Sequence, residues 1–359
     1  MNRRTLLTRG TGALLGLSAG GLLWRALAQE ANQAAGMITP NTQNAIDRSL
    51  AWLAAQQNQD GSFGTAQYRG NVAVTSIAGL AFMAGGYQPG RGRYGENVTR
   101  AVRYIVRNED PNRPGLISSR GGGFNQPMYG HGFATLFLAE VYGMINEPQL
   151  RLDLRRLLGR AIMVIRNSQN NEGGWRYTAQ PIDADLSVTI CQIMALRAAR
   201  NAGIAVPAKV ATDCTNYVKR CQDPQSGGFK YQPFGGTPGF ARTAAGVVAL
   251  YSAGIYEGEA VDKGIAYLNR NRPVAGGGGG FMGGEAMHYF YGHYYAVQAM
   301  WIKGGNHFRQ WYPAIRDDLL TRRLADFSWT QPMMCPHFCT GMALIILQVP
   351  NNYLPILQR

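Results

Sequence analysis

Charge is scarce in this chain. Only 16% of its 359 residues are Asp, Glu, Lys or Arg, and 46% are hydrophobic, which excludes a disordered or highly charged tail and permits a large buried core. Lysine is almost missing, confined to positions 209, 219, 230, 263 and 303. The arginines are dispersed, so no basic run forms a groove for nucleic acid. Cysteine is sparse as well. Cys191, Cys214, Cys221, Cys335 and Cys339 are odd in number and cannot pair completely within one chain. Cys214 and Cys221 lie roughly 10 Å apart along a helix axis, too far for a disulfide. Beyond residue 28 no uninterrupted apolar run reaches the ~20 residues of a membrane span. No Gly-x-Ser-x-Gly elbow occurs, and Gly276 to Gly280 lacks the Lys and Ser/Thr of a phosphate loop. The 46 Gly exceed the usual ~7% but show no collagen triplet, so they punctuate something else.

Residues 1–28 read as an export signal. Arg3 and Arg4 open it, Ala13 to Leu23 is apolar, and Ala26-Leu27-Ala28 offers a cleavable bond. Asn2-Arg3-Arg4-Thr5-Leu6-Leu7 resembles a twin-arginine address. The rival reading is an uncleaved anchor, for which the run is short and rich in Gly. Cleavage removes Arg3, Arg4, Arg9 and Arg25, leaving 31 bases against 21 acids, or +10. The expectation is an exported, periplasmic or extracytoplasmic monomer. Its basic surface suits anionic lipid headgroups or polysaccharides, so membrane-surface contact is one expected partnership.

A repeat organises the remainder. Small residues precede an aromatic in Gly61-Ser62-Phe63, Gly122-Gly123-Phe124, Gly173-Gly174-Trp175, Gly227-Gly228-Phe229, Gly279-Gly280-Phe281 and Asp326-Phe327-Ser328-Trp329. A near-constant period of this kind marks a repeat architecture. Before each turn lies a helix with apolar residues at three- and four-residue spacing, as in Ala45, Ile46, Leu50, Leu53 and Ala54. After it comes a helix apolar nearly all round: Val72 to Ala84, Phe133 to Tyr142, Val188 to Ala199, Ala241 to Ala253, Tyr294 to Ile302 and Cys339 to Leu347. A helix without a polar face is buried on every side. The expected architecture is therefore all-α, with six inner and six outer helices in one ring over residues 43–357, preceded by a linker at 29–42.

The turns with an upstream Gln, namely Gln57-Asn58-Gln59-Asp60-Gly61-Ser62-Phe63, Gln169-Asn170-Asn171-Glu172-Gly173-Gly174-Trp175 and Gln222 to Phe229, resemble those of squalene cyclases and protein prenyltransferase β-subunits. Ser187 to Leu196 continues the likeness, which covers about residues 43–348 and implies an (α/α)6 toroid of the terpenoid cyclase and prenyltransferase superfamily. The fold hosts unrelated functions. The upstream Gln is missing from the fifth and sixth copies.

Aligning the repeats to within a residue or two brings Thr75, His131, Asp185, Arg242, His293 and His337 to one mouth of the ring, where helix N-termini favour anions. Tyr291, Tyr294, Phe133 and Trp301 are expected to wall a cavity suited to an isoprenoid or other lipid-like ligand; the opposite reading is aromatics that merely fill the barrel. In Asp183-Ala184-Asp185-Leu186-Ser187 the resemblance implies an acid within an Asp-x-Asp-Asp motif, falling on Asp185 or Ser187 according to register, so an Asp is absent either way. A helix cap is the alternative role for Asp185. The resemblance also implies zinc. His337-Phe338-Cys339 matches a prenyltransferase His-x-Cys, the Asp-x-Cys pair falls on Tyr291-Gly292-His293, and a substitute site would draw on His293, His337, Cys335 and Cys339. Three functions stay open: a cyclase-like or prenyltransferase-like enzyme or binder with Asp185, His131, Arg242 and His293 at its rim, an inert scaffold module, or a saccharide-processing toroid.

Overall fold

The computed structural model of the protein describes residues 34, 36–119, 126–272 and 288–358. The export segment 1–28 and the strings Gly122-Gly123-Phe124 and Gly279-Gly280-Phe281 lie outside the described residues.

Among the described residues twelve α-helices alternate between two rings. The outer helices are α1 (Pro40–Ala55), α3 (Gly95–Arg107), α5 (Pro148–Ser168), α7 (Ala208–Arg220), α9 (Glu259–Arg270) and α11 (Gly305–Arg322). The inner ones are α2 (Val72–Ala84), α4 (Pro127–Tyr142), α6 (Leu186–Asn201), α8 (Phe240–Ser252), α10 (Tyr289–Lys303) and α12 (Pro336–Gln348). Each inner helix packs on the next, and α12 packs on α2, so the ring closes. Polarity explains the sorting. In α2 every residue but Ala73 is buried, whereas α3 buries only the Val98, Ala101, Val102 and Ile105 side and its nearest neighbours, a one-sided stripe. Among the described residues no helix is long and apolar enough to cross a membrane.

The first helix of the ring begins at Pro40. Thr39 caps it, its hydroxyl accepting from the Thr42 N–H at 3.3 Å, and Pro40 sits where a missing N–H costs nothing. Ile38 and Met37 already pack against the core.

A repeated turn locks the hairpins together. Gly61, Gly115, Gly173 and Gly227 have φ of +92°, +93°, +97° and +76°. A Cβ on any of them would come within 2.1 to 2.8 Å of the backbone of Arg100, Arg160, Asp213 or Lys263 in the next outer helix. Only glycine meets both demands. The residue two places on is apolar, and its N–H donates into the following inner helix: Phe63 to Thr75 Oγ1 at 3.0 Å, Ile117 to His131 Nδ1 at 3.1 Å, Trp175 to Thr189 Oγ1 at 3.1 Å, Phe229 to Thr243 Oγ1 at 2.9 Å. In the sixth copy Trp329 donates to Thr340 Oγ1 at 3.0 Å. The second turn is thus Gly115-Leu116-Ile117, not Gly122-Gly123-Phe124, and positions 63, 117, 175 and 229 are more evenly spaced than the aromatic string suggested. The upstream glutamines tie each turn to the next outer helix: Gln57 donates to Gly61 O and Asn97 O, Gln169 to Gly173 O and Val210 O, Gln222 to Gly227 O and Ala260 O.

The last turn meets the first helix. Ser49 donates to Phe327 O at 2.6 Å, and the Trp52 indole donates to Asp326 at 3.1 Å. Phe327 holds the positive φ, +69°, that glycine holds elsewhere.

At the opposite end, where the inner helices finish, the chain's own C-terminal segment covers the ring. Leu354, Ile356 and Leu357 are buried. The Ile356 N–H donates to Glu140 of α4 at 3.1 Å, and Arg197 of α6 donates to Gln358 O and Tyr251 O at 2.8 and 2.9 Å.

Candidate functional site

The inner helices begin together at one mouth, at Asn71, Gln126, Asp185, Gly239, His288 and Cys335, of which Asn71 and Asp185 cap their helices with a side chain. Around the start of α6 this mouth carries a hydrogen-bonded polar network. Asp185 is fully buried, and its Oδ1 accepts from the Val188 N–H at 2.9 Å, an N-cap. The same oxygen accepts the Ser187 hydroxyl at 2.5 Å. With its proton committed to Asp185, Ser187 accepts from the Tyr129 hydroxyl at 2.6 Å, so a Tyr129 to Ser187 to Asp185 chain runs inward from the half-buried surface. Arg176 lies 3.7 Å from Asp185 Oδ2 and 3.3 Å from Asp183. Burial raises the Asp185 carboxyl above the ordinary carboxylate range, while the Ser187 and Val188 hydrogen bonds and Arg176 pull it back. Burial likewise pushes the Tyr129 phenol well up, aided by the Asp185 charge.

Tyrosines build the shelf around this chain. The Arg176 guanidinium stands 4.6 Å from the Tyr177 ring and 5.4 Å from that of Tyr231, a cation–π arrangement that holds it flat. The Tyr177 and Tyr231 hydroxyls are hydrogen-bonded to each other. Tyr129 and Tyr177 have ring centroids 6.0 Å apart. Tyr291 reaches over from α10 and donates to Ser187 O at 2.7 Å. All four tyrosines, with Ser187 and Arg176, remain partly exposed. The two loops feeding the shelf are joined by Gln232, which donates to Asp183 and to Ala184 O at 3.1 and 2.8 Å. They hold out Ile182, 78% exposed, and Phe234, 82% exposed.

The expected site residues are distributed differently from the sequence alignment. The positions equivalent to Thr75 and His131 are Thr189, Thr243 and Thr340, so Arg242 falls within one residue of its aligned place while Asp185 and His337 precede theirs by four and three residues. Arg242 precedes Thr243 on α8, half-buried. His131 is fully buried, and besides the Ile117 N–H its Nε2 pairs with Ala161 O at 3.2 Å, which fixes a neutral imidazole; burial lowers its pKa to about 4. His293 is buried among Phe240, Tyr289 and Trp311, with a pKa lowered to about 3 by burial and Arg322. His337 sits 5.5 Å from Trp52 and 6.3 Å from Phe63. Among the described residues no three His, Cys, Asp or Glu side chains group so as to hold a metal. His293, His337, Cys335 and Cys339 therefore do not fit a zinc site.

Two of the expected wall residues meet across the ring. Phe133 of α4 and Tyr294 of α10, on opposite sides of the inner ring, have ring centroids 6.2 Å apart, and both are buried. Tyr295 stands against Tyr291 and Tyr294 at 4.8 Å from each, with the Cys191 thiol 3.6 Å from its hydroxyl. Trp301 faces the other way and packs edge-on against Phe308 of the outer helix α11. Of the expected rim and wall residues the mouth network includes Asp185 and Tyr291. It adds Tyr129, Arg176, Tyr177, Asp183, Ser187 and Tyr231. Asp183 and Ser187 were flagged with the acidic motif; Tyr129 sits in the first turn of α4, and Arg176, Tyr177 and Tyr231 lie on loops without a repeating signature.

No protein-family model matches the chain, and no curated protein matches it. Solved structures share its fold. An inactive variant of the alpha-1,6-mannanase of Salegentibacter sp. HEL1_6, in complex with alpha-1,6-mannotriose, superposes with a TM-score of 0.58 at 11% identity, over 86% of this chain and 99% of that one. The type II terpene cyclase MstE from Scytonema, bearing geranylgeranyl dihydroxybenzoate, gives 0.59 at 12% identity over 92% and 99%. A glycosidase in complex with glucose gives 0.58 at 12% over 88% and 98%. These likenesses establish the all-α toroid shared by terpenoid cyclases and toroidal glycosidases.

Proposed function

We propose that the protein is an exported toroid that recognises a saccharide at the mouth formed by the inner-helix N-termini. The observation that carries this reading is the shelf of Tyr129, Tyr177, Tyr231 and Tyr291 around Ser187, Asp185 and Arg176, lying over an interior where Phe133 meets Tyr294. Partly exposed tyrosine faces give flat surfaces for sugar rings to lie against, and their hydroxyls, with the guanidinium, can exchange hydrogen bonds with sugar hydroxyls. The projecting Phe234 adds an aromatic face at the entrance. Two structural neighbours of the fold carry sugars in the same toroid.

The role argued for Asp185 is positioning. Its cap bond to Val188 and its bond from Ser187 hold Ser187 and, through it, the Tyr129 hydroxyl in one orientation. An isoprenoid inside the ring would require Phe133 and Tyr294 to part, and the space they fill is the space such a chain would need. A saccharide needs no such rearrangement.

The test is calorimetric titration of the purified protein with alpha-1,6-mannotriose and a panel of other oligosaccharides, paired with native mass spectrometry of freshly isolated protein. Saccharide binding that falls at least tenfold in Tyr177→Ala and Tyr231→Ala, with folding unchanged, supports the reading. A copurified lipid in the mass spectrum and no saccharide binding would replace it with the isoprenoid alternative. Absence of both would leave the toroid as a scaffold.

A further inference from the structure

Among the described helices α5 carries the largest net positive charge. Within Pro148–Ser168 lie Arg151, Arg155, Arg156, Arg160 and Arg166 against a single acid, Asp153. A helix that only faced water would mix signs and keep apolar side chains inward. Here Leu150, Leu154, Leu157, Leu158, Ala161, Ile162 and Ile165 do turn inward, yet Leu152 and Met163 stay 50% and 45% exposed on the outside. Beside them the turn residues Arg113, Pro114 and Leu116 complete an open groove of about 820 Å³ with an apolar floor of Leu116, Val164 and Ala179. Its rim is Arg113, Arg155, Arg156 and Arg160. Arg160 is spoken for by Glu109 at 2.6 Å, and Arg156 lies a loose 3.9 Å from Asp153. The rim therefore keeps a net positive charge over a greasy trough.

We infer that this α5 groove is a membrane-surface site that takes an anionic phospholipid of a bilayer, its phosphate among the rim arginines and the upper acyl chain against Leu152, Met163 and the trough. The volume is that of a single small-ligand site. Guanidinium matches phosphate by paired N–H donors, and an amphipathic helix with arginines beside exposed apolar residues lies in the plane of an interface. A soluble polyanion would use the arginines but leave Leu152 and Met163 without a role. This surface is separate from the tyrosine shelf and stands or falls independently of it.

The experiment is co-sedimentation of the full chain with vesicles of phosphatidylcholine alone or mixed equally with phosphatidylglycerol, at low and high salt. The readout is the increment in binding caused by phosphatidylglycerol; any contribution of residues 1–28 is common to wild type and variants. Arg155→Gln with Arg156→Gln, both solvent-exposed positions, is expected to reduce that increment about 30-fold, at roughly 1 kcal/mol per arginine. Leu152→Ser with Met163→Ser should weaken binding to the mixed vesicles and make what remains wholly salt-sensitive. Arg200→Gln, also exposed but outside the groove, should change nothing beyond about twofold. An increment untouched by the double arginine change overturns the site. So does capture of dextran sulfate as tight as that of vesicles and indifferent to Leu152→Ser with Met163→Ser, which assigns the groove to a soluble polyanion.

Discussion

Phe133 and Tyr294 face each other across the diameter of the inner ring, with ring centroids 6.2 Å apart and planes inclined at 56°. This contact closes the barrel from within, because α4 and α10 are separated by two helices in either direction around the ring. It sets two bulky side chains across the interior beneath the mouth. Aromatic pairs at this separation add to the stabilisation that comes from burying each ring.

Truncating either partner should be costly. Phe133→Ala is expected to lose about 3–5 kcal/mol, the range for emptying a buried aromatic position. Urea unfolding at neutral pH measures it. A loss under about 1 kcal/mol would mean that the rings do not carry the centre of the barrel.

The threonine lock makes a sharper prediction, since valine matches threonine in shape. Thr189→Val leaves the Trp175 N–H buried with no acceptor in place of its 3.1 Å bond. The expected penalty is about 1–3 kcal/mol. Thr243→Val should do the same through Phe229. Thr212→Val, on the exposed side of α7, should stay within about 0.5 kcal/mol.

These locks were only half legible in the sequence. The inner helices could be read closely, Val72–Ala84 to the residue, because apolarity on every side is a strong signal. The second turn could not: Gly122-Gly123-Phe124 imitates the aromatic pattern, while the working turn ends in Ile117. Threonine is common enough that its recurrence 12, 14, 14 and 11 residues after Phe63, Trp175, Phe229 and Trp329 escapes notice. The shelf is less legible still. Asp183, Asp185 and Ser187 stand out as a short acidic string, but Tyr129, Tyr177 and Tyr231 join them only through folding.

Acid should weaken the fold through the histidines. His131 and His293 have pKa values lowered to about 4 and about 3 by burial, below the ordinary ~6.5. The unfolded chain then binds protons more readily than the native one, so stability falls as pH drops through the window from about 6.5 to about 4. From pH 7 to pH 5 the loss is on the order of 2 kcal/mol per histidine. Denaturant midpoints of the Glu140→Gln variant across that range check it, since that change removes the opposing carboxyl, and a midpoint that rises on acidification in this variant would contradict it.

Alkali should loosen the other end. Burial raises Glu140 to about 8, opposed by the Ile356 N–H and by Arg197. A carboxyl raised in the native state contributes its full stability below the unfolded value of ~4.3. That contribution is lost as pH climbs through about 8. Glu140→Gln should flatten the slope between those limits, read by unfolding and by carboxypeptidase release of the C-terminal residues. An unchanged slope would show that Glu140 is not its source.

The bonds from Ser49 to Phe327 and from Gln348 to Ala81 span 278 and 267 positions of chain. The circle is therefore sealed by contacts between its first hairpin, α1 and α2, and its last, α11 and α12. Until α12 emerges, α2 lacks one of its two inner neighbours, and a large strip of Ile, Leu and Phe stays bare. Closure through such distant contacts is slow, and a chain of this length passes through partly folded, aggregation-prone species on the way. Nascent chains should thus depend on chaperones for most of their synthesis, and a truncation that removes even the final hairpin should yield aggregate rather than a smaller ring.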